Sequence, residues 1–234
     1  MRTRRLAIWT SIILGVAIIA VGRHLAIPDI VWAQSGGAWA ESWYWLPGGD
    51  ATPCDAPAVE AVAFDPTGNP IVVGFGTGPT LGVPQGNGYD GFVAKLGAAT
   101  GAQQWVITVG GSDTDILAAV TVAPTGEIYA AGPSFSGIPG VEDNTPNNGD
   151  LLIVKLNASG SLLWARKLGI PGWNPVCCFR LAADPQAASI VIAPSGDVLV
   201  TTVFIGTEDR SNEQSIVYAS FSPEGGLRWV KSLG

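Results

Sequence analysis

The sequence predicts an all-β fold, on the strength of its composition and of a phrase that it repeats. Gly occurs 31 times and Pro 17 times in 234 residues, so turns are frequent, and only 13% of the residues are charged. Val, Ile, Thr and Trp are common whereas the helix-favouring Lys, Glu and Gln are sparse, which is typical of strands. A hydrophobic share of 47% is also too high for a disordered chain.

The repeated phrase occurs three times. It reads "DGFVAKLGAATGAQQWVITVGG", then "DLLIVKLNASGSLLWARKLG", then "SIVYASFSPEGGLRWVKSLG". Its tryptophan stands five residues before a Gly, and the same spacing occurs once more upstream; the four residues are Trp43, Trp105, Trp164 and Trp229. A second phrase, centred on Pro-Thr-Gly or Pro-Ser-Gly, lies between the copies. Two phrases kept in order with a period of about 60 residues indicate a repeat architecture.

Each period contains four short β-rich runs separated by turn signals. In the second period the runs are "AAVTVA", "EIYAAG", "DLLIVKL" and "LLWARKL". The links "PTG" and "NASGS" are short enough to join antiparallel neighbours, with Gly accepting a positive φ. Four antiparallel strands in series, with no helical pattern after residue 33, predict β-propeller blades stacked face to face. The repeated Trp is then expected to fill the gap between neighbouring blades.

We predict three four-stranded antiparallel blades, at residues 57–110, 111–169 and 170–234, the last with a Cys-bearing insertion. Residues 34–56 are predicted as a linker with one orphan outer strand that contains Trp43. Because a propeller closes with at least about four blades, the expected fold is an incomplete or open propeller. The chain is then either a truncated product of a longer gene or a unit that self-associates to close the propeller.

Residues 1–33 are predicted to be a hydrophobic leader helix. "MRTRR" carries three arginines, and Leu6–Val21 is an uncharged run that is long for a signal-peptide core and short for a spanning helix. The "VWA" before Gln34 suits cleavage, whereas Arg23 and Asp29 beyond the apolar run argue for a retained membrane anchor. A cleaved leader and a retained anchor both place the remaining chain outside the cytoplasm, as a secreted, periplasmic or anchored protein, because the basic end stays inside. The leader is the only membrane contact that we predict.

The chain after Ala33 is acidic, which restricts its partners. It holds eight basic and eighteen acidic residues, a formal charge of −10. Nucleic acid and anionic membranes are therefore poor partners. The single histidine, His24, lies in the leader, so the remaining chain lacks the histidine of the usual nucleophile chemistry and of most catalytic zinc sites. We therefore assign no catalytic residue.

Function is predicted on one face of the stacked blades. Since the strands alternate in direction, the short links fall on one face and the long, variable loops on the other, where binding residues are expected. The binding candidates on this long-loop face are Asp113, Asp115, Glu142, Asp143, Asn147, Asp150 and Trp173. Trp173 offers either a sugar-stacking surface or plain loop packing.

A Ca²⁺ site is the one cofactor that the loops suggest. Asp143, Asn147 and Asp150 lie in "VEDNTPNNGD" and offer oxygen ligands, although their spacing is not that of a twelve-residue calcium loop. The alternative is a set of solvated loops stabilised by Asx turns.

Three cysteines fall in long loops, where an oxidising compartment favours a disulfide. Cys54 could pair with Cys177 or with Cys178, Cys177 and Cys178 could form a vicinal bridge, or the thiols could stay free.

The phrase "DGFVAKLGAATGAQQWVITVGG" followed by "AAVTVAPTGEIYAAG" resembles the bacterial β-propeller repeat abbreviated SBBP. The resemblance covers nearly all of Trp43–Gly234. It is closest over Asp90–Gly132 and loosest in the third blade, where Ser220 replaces the Lys of Lys95. "TGAQQW" is also similar to the repeat of quinone-cofactor (PQQ-like) propellers, whose blades are usually shorter. The SBBP resemblance implies an extracytoplasmic interaction or adhesion module and transfers no catalytic residue.

The leading functional hypothesis is a non-catalytic binding scaffold that presents the long-loop face to a protein or glycan partner. The alternative is a fragment of a carbohydrate-active or quinone-dependent propeller enzyme. A narrow acidic pocket built from Glu60, Asp113 and Asp115 would favour the enzyme, because glycosidases act with two carboxylates. A broad open face would favour the scaffold.

Overall fold

The computed structural model describes residues 32–35, 38–41, 58–77, 88–141, 149–170, 173–175, 188–206 and 213–233. At 32–41, 173–175 and 205–206 only the backbone is described. The predicted leader helix lies outside these ranges except for Trp32 and Ala33, which are in a β-strand. The orphan strand and the three cysteines lie outside them. Within them, no helix is long and apolar enough to cross a membrane.

The described residues form an all-β structure, as predicted. The strands of a first hairpin are β1 (Trp32–Ser35) and β2 (Ala38–Glu41). Sheet 1 contains β3 (Ala58–Phe64), β4 (Pro70–Gly76), β5 (Asp90–Leu96) and β6 (Gln103–Val109). Sheet 2 contains β7 (Ala119–Val122), β8 (Ile128–Ser134), β9 (Asp150–Leu156) and β10 (Leu162–Leu168). Sheet 3 contains β11 (Trp173–Pro175), β12 (Ala188–Ile192), β13 (Val198–Gly206), β14 (Gln214–Phe221) and β15 (Leu227–Leu233).

Each sheet is built on four antiparallel strands paired in chain order, and none of the described sheets closes on itself. In sheet 3, β11 and β12 pair with successive parts of the same edge of β13. The outer strand of every sheet carries one extra residue just before the repeated Trp, namely Gln104, Leu163 and Arg228. A bulge of this kind re-aims the next side chain, so the three tryptophans project alike from their sheets.

Glycine closes the short turns of all three sheets. Gly68, Gly126 and Gly196, in the β3–β4, β7–β8 and β12–β13 turns, have φ of 84°, 95° and 85°. The β5–β6, β9–β10 and β14–β15 turns also contain a glycine with positive φ. Only glycine adopts this conformation without strain, and this explains the recurrence of Gly in both repeated phrases.

The three sheets stack in chain order. Their first strands lie side by side, β3 against β7 and β7 against β12. β9 is buried on both sides: Leu152 and Val154 pack against sheet 1, while Leu151 and Ile153 pack against sheet 3. Successive side chains of a strand point to opposite faces, so a continuous apolar run such as "LLIV" is required wherever a sheet is covered on both sides.

The repeated Trp locks each sheet to the next, as expected. A Cβ added to Gly160 would lie 2.9 Å from the Trp105 ring, and one added to Gly225 would lie 2.9 Å from the Trp164 ring. The Trp164 indole also donates a hydrogen bond of 3.0 Å to the carbonyl of Pro223. The outer strand of one sheet therefore packs against the third-to-fourth-strand turn of the following sheet.

Candidate functional site

A buried ionic cluster lies at the loop edge, the end of the sheets that carries the longer connections. β5 and β9 begin there with Asp90 and Asp150, and the segment before β7 adds Asp115. Asp115 forms an isolated backbone bridge with Ser134 at the end of β8. These carboxylates are 8%, 0% and 0% exposed, respectively. We call Asp90, Asp115, Asp150, Lys167 and Ser136 the polar cluster.

Asp150 and Lys167 form the ion pair of the polar cluster. Lys167 Nζ lies 2.7 Å from Asp150 Oδ2, and the two side chains are only 1% and 0% exposed. Lys167 Nζ also donates to the carbonyl of Ser136 at 2.8 Å. A buried charge is strongly destabilising when its partner is removed. Lys167 therefore joins the end of β10 to the start of β9 through Asp150, and to the loop that follows β8 through Ser136.

Asp115 is held mainly by one of its carboxylate oxygens. Asp115 Oδ2 accepts hydrogen bonds from the Gly111 amide at 2.9 Å and from Ser136 Oγ at 2.5 Å. Asp115 Oδ1 is buried with no hydrogen-bond partner among the described residues. Burial raises the pKa of Asp115, and the hydrogen bonds from Ser136 and Gly111 oppose that rise only in part.

Asp90 and Asp115 meet at a glycine. A Cβ on Gly110 would lie 2.0 Å from Asp90 Oδ1 and 2.9 Å from Asp115 Oδ2, so only glycine fits there. Burial and the charge of Asp115 raise the pKa of Asp90. Two close carboxylates resist being ionised together, and the pair therefore retains a proton more readily than either residue would alone.

The polar cluster contains three carboxylates and one ammonium group, but little of it is accessible to a substrate. In the ranges that the structure describes, no group of three or more His, Cys, Asp or Glu side chains is arranged to hold a metal ion. Asp115 is fully buried, which closes its carboxylate to a substrate. Backbone hydrogen bonds beside the polar cluster instead hold the connections of the loop edge to one another. The Asp115 amide donates to Tyr89 O at 2.7 Å, and the Phe135 amide donates to Thr114 O at 2.9 Å.

The structure separates the predicted binding residues into four groups. Asp113 is exposed on the bend between β6 and β7, whereas Asp115 and Asp150 belong to the buried polar cluster. Trp173 begins β11, where only the backbone is described. Glu142, Asp143 and Asn147 lie outside the described residues, as do Cys54, Cys177 and Cys178.

The calcium hypothesis therefore rests on a single described residue. Asp150, the third predicted ligand, is fully buried and paired with Lys167. Glu60, proposed together with Asp113 and Asp115 as a sign of an acidic pocket, is half-buried in β3, and burial raises its pKa.

Sequence reasoning did not select Lys167 or Asp90, although one signal was available. Asp90 and Asp150 occupy the same position in the repeated phrase, at the start of the third strand of their sheets. Lys167 stands three residues after Trp164, where the other two copies have Thr108 and Ser232. An ionic side chain that appears in only one copy of an otherwise apolar strand end predicts a local partner.

A cavity of about 570 Å³ lies at the opposite, turn edge between sheets 2 and 3. Its polar wall contains Lys155, whose Nζ lies 3.6 Å from Glu127 Oε1 and donates to Pro223 O at 3.2 Å. Its apolar wall includes Ile192 and Pro194. Since Lys155 is already bonded to both sheets, this cavity is a crevice beside the sheet-to-sheet contact.

A scan against protein-family models finds no match for this chain, and a search of the curated proteins finds no similar sequence. The interpretation of function therefore depends on the repeat and on the geometry of the loop edge.

Proposed function

We propose that this chain is an extracytoplasmic β-propeller repeat module of the SBBP type that acts as a non-catalytic binding scaffold. Three like sheets stacked in chain order, with their first strands side by side, support the propeller interpretation. The basic start of the predicted leader supports a position outside the cytoplasm.

The observation that carries the binding role is the difference between the two edges. At the turn edge every link is a short turn closed by glycine. At the loop edge the described parts of the longer connections are 77, 88–89, 110–118, 135–141 and 149, and the polar cluster holds them in place. Loops positioned by a rigid scaffold are the usual location of binding residues.

The partner that fits this surface is a protein or a glycan. Asp113 is exposed at the loop edge, and the chain after Ala33 has a strong excess of acidic residues. An acidic loop face attracts basic protein surfaces and repels nucleic acid. Carboxylates and amides are also hydrogen-bond acceptors and donors suited to sugar hydroxyls.

The alternative, a fragment of a carbohydrate-active or quinone-dependent enzyme, draws on the Asp90–Asp115 pair, whose raised pKa values are those expected of an acid catalyst. A glycosidase needs both carboxylates beside the scissile bond. Because Asp115 is 0% exposed, the open scaffold is the better interpretation.

The test is a binding screen of the labelled full chain on a glycan array and against basic secreted proteins. Asp113→Arg reverses an exposed charge at the loop edge, and Glu224→Arg makes the same change on an exposed residue at the turn edge. We expect Asp113→Arg to weaken binding by about fivefold, as for a rim charge, and Glu224→Arg to leave it unchanged. If only Glu224→Arg lost binding, the partner would bind at the turn edge, and the proposed role of the loop edge would be wrong.

A further inference from the structure

We propose that the outer face of sheet 3 is an interface between two copies of this chain. This face is the side of sheet 3 turned away from sheet 2. The residues that carry the inference are Val191, Ile216, Tyr218, Trp229, Lys231 and Leu233. The inference does not depend on the binding role proposed above, because it concerns a sheet face and not the loop edge.

Comparison of equivalent positions shows that sheet 3 lacks, on this face, the following sheet that covers the same face of sheet 2. Ile216 pairs with Leu233 in sheet 3, as Leu151 pairs with Leu168 in sheet 2. Leu151 and Leu168 are 0% and 8% exposed, whereas Ile216 and Leu233 are 48% and 59% exposed. The apolar side chains are kept in the last copy although nothing described covers them, and contiguous exposed apolar surface of this kind marks an interaction site.

Trp229 is likewise more exposed than its equivalents in sheets 1 and 2. Trp105 and Trp164 lie against Gly160 and Gly225 of the following sheet. Trp229 is 40% exposed and contacts Tyr218 of its own sheet, with ring centroids 5.9 Å apart. A side chain that forms the sheet-to-sheet contact elsewhere is therefore presented outwards here.

A second copy meets this surface with the same face. A head-to-tail contact would need the opposite face of sheet 1, but Phe92, Ala94 and Leu96 on that face are 0%, 0% and 2% exposed. Among the described residues, the outer face of sheet 3 is the apolar sheet face that remains uncovered. A partner copy therefore contributes this same face to the contact. A reciprocal contact about a two-fold axis is also the commonest form of a homodimer.

The face is shaped to complement itself. Trp229 projects from β15 at one margin, and the smaller Ser189 and Val191 are exposed on β12 at the other. A two-fold axis that runs along the strands between β13 and β14 places Trp229 of each copy over β12 of its partner. The charged Lys231 on the marginal strand β15 can keep its ammonium group in water while its stem packs.

The size of the face sets the expected affinity. Four strands spaced about 4.8 Å apart, with about seven residues of 3.3 Å each, give a face of roughly 20 by 23 Å. This area, roughly 460 Å², is little more than half of the roughly 800 Å² per partner of a standard interface. We therefore expect a dissociation constant in the micromolar range.

Sedimentation velocity of the full chain in a mild detergent, from about 1 to 100 µM, tests the proposal. Ile216→Lys places a charge on β14, at the end of the face where Ile216 pairs with Val203 and Leu233. Leu162→Lys is the matched control, because Leu162 is 49% exposed on the outer strand of sheet 2. We expect a monomer–dimer equilibrium for the parent chain and for Leu162→Lys, and at least a tenfold weaker association for Ile216→Lys with an unchanged circular dichroism spectrum.

Three results would overturn the interface. The parent chain could stay monomeric at 100 µM, or Ile216→Lys could dimerise as tightly as Leu162→Lys. Growth into an open-ended series of oligomers would show a head-to-tail contact instead of a reciprocal one. If Ile216→Lys fails to fold, Leu233→Lys on the same face, compared with Leu162→Lys, gives the same decision.

Discussion

Substituting alanine for Gly160 tests the sheet-to-sheet contact on which the stack depends. The φ of Gly160 is +87°, and its missing Cβ would lie 2.9 Å from the Trp105 ring. An alanine in the left-handed region costs roughly 1–2 kcal/mol. Forcing the methyl group against the indole adds about 1–3 kcal/mol, as for other overpacked sites. We therefore expect Gly160→Ala to lower the free energy of unfolding by about 2–5 kcal/mol.

Gly68→Ala is the matched control for this prediction. Gly68 has nearly the same φ, +84°, and no atom lies within 4 Å of the position that its Cβ would take. Its substitution should therefore cost only the backbone term of roughly 1–2 kcal/mol. Urea denaturation followed by circular dichroism and by tryptophan fluorescence compares the two variants, provided that both signals report one transition.

A double substitution separates the clash from the backbone strain. Trp105→Leu removes the ring that faces Gly160, so the cost of Gly160→Ala should fall by at least about 1 kcal/mol in the Trp105→Leu background. Equal costs for Gly160→Ala and Gly68→Ala, or no coupling with Trp105→Leu, would refute the Trp–Gly contact as a source of stability.

Two further predictions concern the polar cluster. Lys167→Met should lower the free energy of unfolding by about 3–5 kcal/mol, because the buried Asp150 loses the ammonium group that it pairs with. Adding Asp150→Asn should recover at least half of that loss. Thermal unfolding of the single and double variants measures both effects, and a double variant no more stable than Lys167→Met would contradict a stabilising ion pair. Burial and Asp115 raise the folded pKa of Asp90 above the ordinary 3.8, so stability should fall as the pH rises from about that value through the raised pKa. Asp90→Asn should flatten this fall and stabilise the protein more at pH 7 than at pH 4, as measured by urea denaturation at each pH. If the stability of Asp90→Asn depended on pH as that of the parent chain does, the predicted role of Asp90 would be wrong.

Local signals in the sequence were sufficient for the β-strands and their turns. The runs predicted in the second period contain or overlap β7 to β10, because strand propensity and glycine turns act within a few neighbouring residues. The spacing of Trp105 and Trp164 also predicted their place between sheets. A fixed bulge before each Trp makes that place the same in every copy.

The acidic residues show where the same reasoning stops. Asp113 and Asp115 are two residues apart in one polar segment, and both were predicted to belong to a binding face. Asp113 is exposed, whereas Asp115 is fully buried between sheets 1 and 2. Nothing local distinguishes them, because the burial of Asp115 depends on Ser136, 21 positions further along the chain.

The sequence by itself determined the strands, the turns and the repeat, since each depends on the backbone preferences and alternation of adjacent residues. The tertiary structure alone decided which carboxylates are buried, which lysine pairs with Asp150 and which repeated apolar face stays open. Those properties depend on the packing of one sheet against another. The same apolar side chain is therefore buried as Leu151 and exposed as Ile216, because only Leu151 has a further sheet stacked on its face among the residues that the structure describes.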